Sequence, residues 1–282
     1  MITDIKPNLI LLITIEGLDG TFKNTNTNNL INYLNSKFEK YLSKIDIKSV
    51  SFPRYDKEGG YFPKVYLDGK YSDFLNNLSK TINDESVTEN TRKAFLEKEL
   101  DIISDFYLLD MFDWNNSIEI NKPTIIVFDR YFYSMMYYLT KNIHKYNYSN
   151  IDYMKEFSDK VLDKVINKYN LEKSDILIKL YNSNKNNNKS IIKNRNKNSK
   201  DIYENDFDYL TKVAKYYTRF DPQYAVSDKY SAVRFGGNSN TIITIDVYNK
   251  DQDEILNEIV KNIMPILSRY KSRLSTYFRY NN

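Results

Sequence analysis

The sequence predicts a three-layer α/β fold: a five-stranded parallel sheet flanked by helices. Short apolar segments alternate with longer amphipathic ones along most of the 282 residues. One of these segments, PTIIVF at Pro123–Phe128, is apolar throughout, as a strand covered on both faces must be. Another, Leu9–Ile15, runs directly into a glycine turn and then a helical pattern.

Leu9–Ile15 is long enough for a buried strand and too short to span a bilayer. It leads into Glu16-Gly17-Leu18-Asp19-Gly20-Thr21-Phe22-Lys23-Asn24. Strand, tight glycine turn, lysine and helix follow in the order of a phosphate-binding loop, where backbone N–H groups and a helix N-terminus meet an anion. Against the pattern G-x-x-x-x-G-K-[ST], Gly17 and Lys23 are in register. Phe22 stands where the second glycine belongs, and Asn24 replaces the hydroxyl residue while still offering a carbonyl oxygen to a cation. The bland alternative is a buried turn carrying a surface lysine.

Helix 1 is expected over Asn24–Leu42, with Leu30, Leu34, Phe38 and Leu42 inward. Ile45–Phe52 alternates as a second strand and enters the turn-rich loop Pro53–Gly60. Ligands of open α/β sheets collect at the carboxyl ends of strands. Arg54 therefore sits where its planar fork could clamp a phosphate, or else it simply faces solvent. A short helix is expected near Lys64–Leu67, and residues 71–92 read as a loop or small insertion. A long helix follows from Thr91, with Leu96, Leu100, Ile103, Tyr107 and Met111 on one face. Tyr107 and Met111 are thus core residues unless that face borders a pocket.

The third strand ends in Asp129-Arg130-Tyr131. A carboxylate and a guanidinium at the tip of a buried strand are costly unless used or paired, which marks them as site candidates. His144 lies in a Tyr/Asn/Lys-rich connection and reads as a surface residue. Tyr153–Tyr169 is an amphipathic helix and Ile176–Leu180 a fourth strand. Residues 182–200 are rich in asparagine, with Lys189, Lys193, Arg195 and Lys197 suiting a cationic lid. A further helix opens at Asp201, and residues 221–240 read as an inserted loop. Thr241–Val247 is a fifth strand. The last helix carries Ile255, Ile259, Ile263, Ile266, Tyr270 and Leu274, with Pro265 expected to kink or break it. A domain over 1–265 and a basic amphipathic tail over 266–282 follow from this reading.

Composition narrows the chemistry. There is no cysteine and a single histidine, which removes disulfides, thiolate chemistry and histidine metal clusters. A net charge of +4 is compatible with anionic ligands but too small to indicate nucleic acid. No segment reads as a secretory leader, so a soluble cytoplasmic protein is the expectation.

Taken together, LITIEGLDGTFKNTNT, SFPRYDKEGGYFPKVYLDGKY, IIVFDRYFYS and KDIYENDFDYL, in this order and spacing, resemble the thymidylate kinases. The resemblance covers residues 9–265, interrupted near 71–92 and 221–240. It implies a P-loop NTPase fold, a homodimer, and transfer of the γ-phosphate of ATP to a deoxynucleoside 5′-monophosphate with Mg²⁺. By that likeness Gly17, Asp19, Gly20, Thr21, Lys23, Asn24 and Thr25 would surround the ATP phosphates, with Asn24 and Asp129 near the metal. Asp19, Arg54, Tyr107, Asp129, Arg130, Tyr203 and Glu204 would face the acceptor nucleotide. Lys23 and Arg130 would act in transfer. The phosphate loop lacks an arginine, so Arg195 of the lid, helped by Lys193, would supply the catalytic one. Residues 246–249 match the loop beside adenine.

Met111 stands where the family usually places an arginine that reads the pyrimidine. This leaves dTMP as the first expectation, with dUMP or another dNMP open. Two other readings stay open: a kinase-derived binding or structural protein, suggested by Phe22, Asn24 and Met111 together, and nucleic-acid binding through the basic lid and tail.

Overall fold

The computed structural model describes residues 9–71, 88–139, 151–184 and 241–280. Arg195, Lys193, Tyr203, Glu204 and His144 lie outside them, as do most of the expected lid, the helix from Asp201 and the loop 221–240.

Five parallel strands make one sheet: β1 (Ile10–Gly17), β2 (Asp46–Ser51), β3 (Thr124–Asp129), β4 (Ile176–Tyr181) and β5 (Thr241–Asp246), in the spatial order β2-β3-β1-β4-β5. Every residue of β1 and of β3 is buried, as continuous apolar runs require in central strands. β2, with its alternating sequence, lies at the edge.

The helices are α1 (Lys23–Lys37), α2 (Tyr61–Leu67), α3 (Glu89–Ser117), α4 (Phe132–Tyr138), α5 (Ile151–Asp163) and α6 (Gln252–Tyr280). α1 packs on α6, whereas α3 packs on α2 and α4. The connection from β1 runs outward to β2, but that from β3 runs back past β1 to β4. Right-handed crossovers therefore send the two chains to opposite faces, opening a crevice beyond the carboxyl ends of β1 and β3. In register, Ile15 lies beside Asp129 and Gly17 beside Leu180.

Several expected boundaries shift. α1 ends at Lys37, and a short 3₁₀ turn (Glu39–Tyr41) follows before β2. The fourth helical segment ends as α helix at Asp163 and continues as a π-helical turn, Lys164–Lys168. Pro265 does not end the last helix, which runs unbroken to Tyr280. Pro265 is on the solvent face, so the Lys261 carbonyl it leaves without an N–H donor is exposed to water. The segment beyond 265 continues the same helix. Ile266, Leu267, Tyr270 and Leu274 are buried, and the Tyr270 hydroxyl donates to the Leu9 carbonyl at 2.9 Å.

Candidate functional site

The loop between β1 and α1 closes tightly on itself. A β-carbon on Gly17 would come within 2.5 Å of Thr21 Oγ1 and 2.6 Å of the Leu180 carbonyl, so only glycine fits there. The Leu18 carbonyl accepts three donors: the Thr21 N–H at 3.2 Å, Thr21 Oγ1 at 2.7 Å and Lys23 Nζ at 2.8 Å. Lys23 is buried, with Asp19 Oδ1 3.5 Å from Nζ. Burial first, and the positive charge of Arg130 second, lower its ammonium pKa to about 8 against the pull of Asp19, Asp129 and Glu16.

Phe22 caps α1 in the left-handed conformation, φ 59° and ψ 30°, that its glycine-like position demands. Its ring is 36% exposed, so the side chain is not absorbed into the core. Both the backbone N–H and the side-chain amide of Asn26 donate to the Phe22 carbonyl, each at 2.9 Å. Asn24 and Thr25 are exposed on the first turn of α1. Asn24 Nδ2 lies 3.5 Å from Asp129 Oδ2, while the buried Asp129 Oδ1 has no hydrogen-bond partner.

Arg130, the next residue, is also left-handed at φ 66°. Its N–H donates to the Ile15 carbonyl at 3.0 Å, and its guanidinium donates to Asp19 Oδ1. Asp19 thus stands between two cations, Lys23 and Arg130. Asp19 and Arg130 form the polar end of a pocket. Phe52, Tyr55, Leu67, Tyr107, Met111 and Met135 make its apolar walls, with Pro53, Tyr131 and Ser134 completing the lining. An aromatic group of Phe52, Trp114, Phe128 and Tyr131 backs this wall, Phe128 and Tyr131 stacking at 4.4 Å.

Arg54, in sequence between the lining residues Pro53 and Tyr55, is paired within the protein. It does not line the pocket; α3 holds it instead. Its Nε and backbone N–H donate to the two oxygens of Asp110 at 2.8 and 2.7 Å. One terminal nitrogen donates to the Asp110 carbonyl at 2.7 Å and to Asp113 Oδ2 at 2.6 Å. The Asp110 side chain is 1% exposed, and burial raises its carboxyl pKa even with Arg54 beside it. Gly60 permits this docking, because a β-carbon there would meet the Arg54 carbonyl at 1.9 Å.

Sequence reasoning missed Glu16, which is fully buried beneath the site. Its Oε1 accepts the N–H of Tyr131 at 2.8 Å and of Ser134 at 3.1 Å, and the Ser134 hydroxyl donates to Oε2. Burial pushes its carboxyl up to about 7, opposed by these hydrogen bonds. A single carboxylate ending an apolar strand was the signal available. On the far side of Gly17, Asp246 Oδ1 accepts the N–H groups of Ser183 and Tyr248, shaping the turn after β5.

No family model matches the chain, and no curated protein matches it. Among solved structures, a thymidylate kinase from Candida albicans superposes with a TM-score of 0.53 at 17% identity, covering 92% of this chain and 93% of that one. The chain has the P-loop NTPase fold of that enzyme. The loop Gly17–Lys23 and the turn Asp129–Arg130 face the crevice at the switch point of this fold. Among the described residues, no helix is long and apolar enough to cross a membrane.

Proposed function

We propose that this protein is a nucleoside monophosphate kinase, transferring the γ-phosphate of ATP to a deoxypyrimidine 5′-monophosphate, with dTMP the first candidate. One observation carries the reading. A phosphate-loop lysine and the arginine of a second strand end converge on Asp19, at the polar end of an otherwise aromatic and apolar pocket.

In this reading the amides of residues 19–24 and Lys23 bind the donor phosphates. Arg130 grips the acceptor phosphate, Asp19 faces its sugar, and Tyr107 stacks on its base against an apolar wall that includes Met111. Arg195, Lys193, Tyr203 and Glu204 are assigned to the lid side. Arg54, anchored to α3 beside the Phe52–Pro53 wall, is assigned to the acceptor phosphate together with Arg130. Phosphoryl transfer asks for placement and charge compensation, and an acceptor phosphate oxygen is already nucleophilic, so no general base is required.

The residues present fit Mg²⁺. Asp129 offers a buried, unpartnered oxygen and Asn24 a carboxamide beside it. Such a sparse set suits an ion that takes its remaining ligands from phosphates and water. When bound, the ion neutralises and orients the phosphates.

The unit is read as one domain and as a homodimer. Phe95, Ile102 and Leu109 recur every seven residues as exposed apolar side chains along α3, a stripe a second copy would cover.

A coupled assay with ATP, Mg²⁺ and dTMP, dUMP, dCMP or dGMP tests the reading. Turnover by the wild type and none by Lys23→Ala is expected; no turnover above that control refutes it. The second reading, a nucleotide-binding or structural protein without catalysis, draws on Phe22 at the glycine position. It predicts saturable thermal stabilisation by a dNMP but none by ATP.

A further inference from the structure

We infer that Glu16 is a positioning residue for Arg130, holding the arginine's backbone in the left-handed conformation that aims its guanidinium into the pocket. The inference rests on the reading of that pocket as the acceptor's.

Arg130 adopts a conformation that residues bearing a β-carbon avoid, so something must impose it. Both flanking peptides are pinned to β1. The N–H of Arg130 is held by the Ile15 carbonyl at 3.0 Å, and the N–H of Tyr131 by Glu16 Oε1 at 2.8 Å. The same carboxylate takes the Ser134 N–H at 3.1 Å and the Ser134 hydroxyl, fixing the first turn of α4 immediately after Arg130. Ile15 and Asp129 are register partners, so β1 can reach the turn only at its last residues. The next residue, Gly17, opens the phosphate loop.

The circuit then closes across the crevice, because Arg130 donates back to Asp19 in that loop. A carboxylate with no solvent exposure is costly, and a neutral acceptor would have sufficed to cap a short helix. Its three donors come from Tyr131 and Ser134, both of which line the pocket. Glu16 itself does not line it, so its effect on a ligand passes through the turn it holds, Arg130 to Ser134.

The test compares wild type, Glu16→Ala, Glu16→Gln, Arg130→Ala and the double variant Glu16→Ala/Arg130→Ala. Calorimetric Kd values are measured for dTMP and, separately, for ATP. Gln keeps one acceptor oxygen for the two N–H groups, while Ser134 can turn to accept from its amide. The expected result is a loss of dTMP affinity of about 10- to 100-fold in Glu16→Ala, comparable to Arg130→Ala. ATP affinity should change by less than about threefold, the double variant should be no weaker than Arg130→Ala, and Glu16→Gln should recover to within about threefold. Additive losses, equal weakening of ATP and dTMP, or no rescue by Gln would overturn the inference.

A ligand-free readout separates this inference from the functional reading. The Arg130 ¹³Cα shift should leave its left-handed value in Glu16→Ala and keep it in Glu16→Gln. If no dNMP binds the wild type, the functional reading fails while this shift still decides: a shift unmoved in Glu16→Ala overturns the positioning role. Should Glu16→Ala not fold, Glu16→Asp, whose shorter side chain withdraws the carboxylate from Tyr131, takes its place with the same expectations.

Discussion

The Phe22 carbonyl is held twice by Asn26, once by the backbone N–H and once by the side-chain amide, each at 2.9 Å. This clamp holds a bulky residue in a conformation suited to glycine at the start of α1.

Two substitutions that both remove the ring test that strain. Phe22→Gly should be more stable than Phe22→Ala by about 1 kcal/mol, since only alanine keeps a β-carbon in the left-handed region. Within a helix the order is reversed by a similar amount. Urea unfolding of the two variants checks the sign.

Gly17→Ala should cost about 1–3 kcal/mol, as expected when an extra carbon enters a close-packed site. The new carbon would sit 2.6 Å from the Leu180 carbonyl, a backbone atom that cannot swing aside. Denaturant titration gives the size of the loss. Loss of ATP stabilisation should accompany it.

Arg54→Ala should cost about 3 kcal/mol or more, because it strands the buried Asp110 carboxylate. Arg54→Ala/Asp110→Asn should recover part of that loss. Comparing their unfolding free energies separates a stabilising role from phosphate contact, in which the second substitution would restore nothing.

Lys23 carries an ammonium pKa lowered to about 8, so the free protein binds its proton incompletely above that pH. Polyphosphate favours the charged form. ATP binding should therefore take up a proton at pH 8.5 and none through this group at pH 6.5, and free-state affinity should fall as pH rises past 8. Calorimetry in buffers of different ionisation enthalpy reads the uptake directly, with Lys23→Met as the control lacking it.

Stability should also vary with pH through Asp175, whose carboxyl burial raises to about 7 although Leu12 N–H donates to it at 2.8 Å. Its folded pKa lies above the unfolded value of about 3.9, so the folded state binds more protons between the two. The group's contribution to stability therefore declines as pH rises from about 4 to 7 and is flat above. Glu16 acts in the same direction. Asp175→Asn keeps an acceptor for Leu12 and should flatten this slope in chemical denaturation at pH 4.5 and 7.5.

The sheet was legible because its signals are local. Ile10–Gly17 and Thr124–Asp129 are buried end to end, and apolar runs announce that without any knowledge of their neighbours. The face of α3 at Leu96, Leu100, Ile103, Tyr107 and Met111 was readable by period, and two of its residues, Tyr107 and Met111, do border a pocket. The pairing of Arg54 was not legible, because its partners, Asp110 and Asp113, are 56 and 59 residues away and no spacing rule joins them. Glu16 was passed over for the same reason, since its partners lie 115 and 118 residues further on. Of the kink or break expected at Pro265, the break is absent, because the rule about backbone N–H groups takes no account of which side of the helix meets water.

The bond from Tyr270 to Leu9 spans 261 residues. On a ribosome, the first strand emerges long before the helix that seals its start. Until residue 270 clears the exit tunnel, Leu9 and the neighbouring Ile10 lack part of their cover, and a chain cut at residue 265 never gains it. Nascent or prematurely released chains should thus present an apolar strand beginning to chaperones and proteases, and the finished fold should appear only after the last turns of α6 dock.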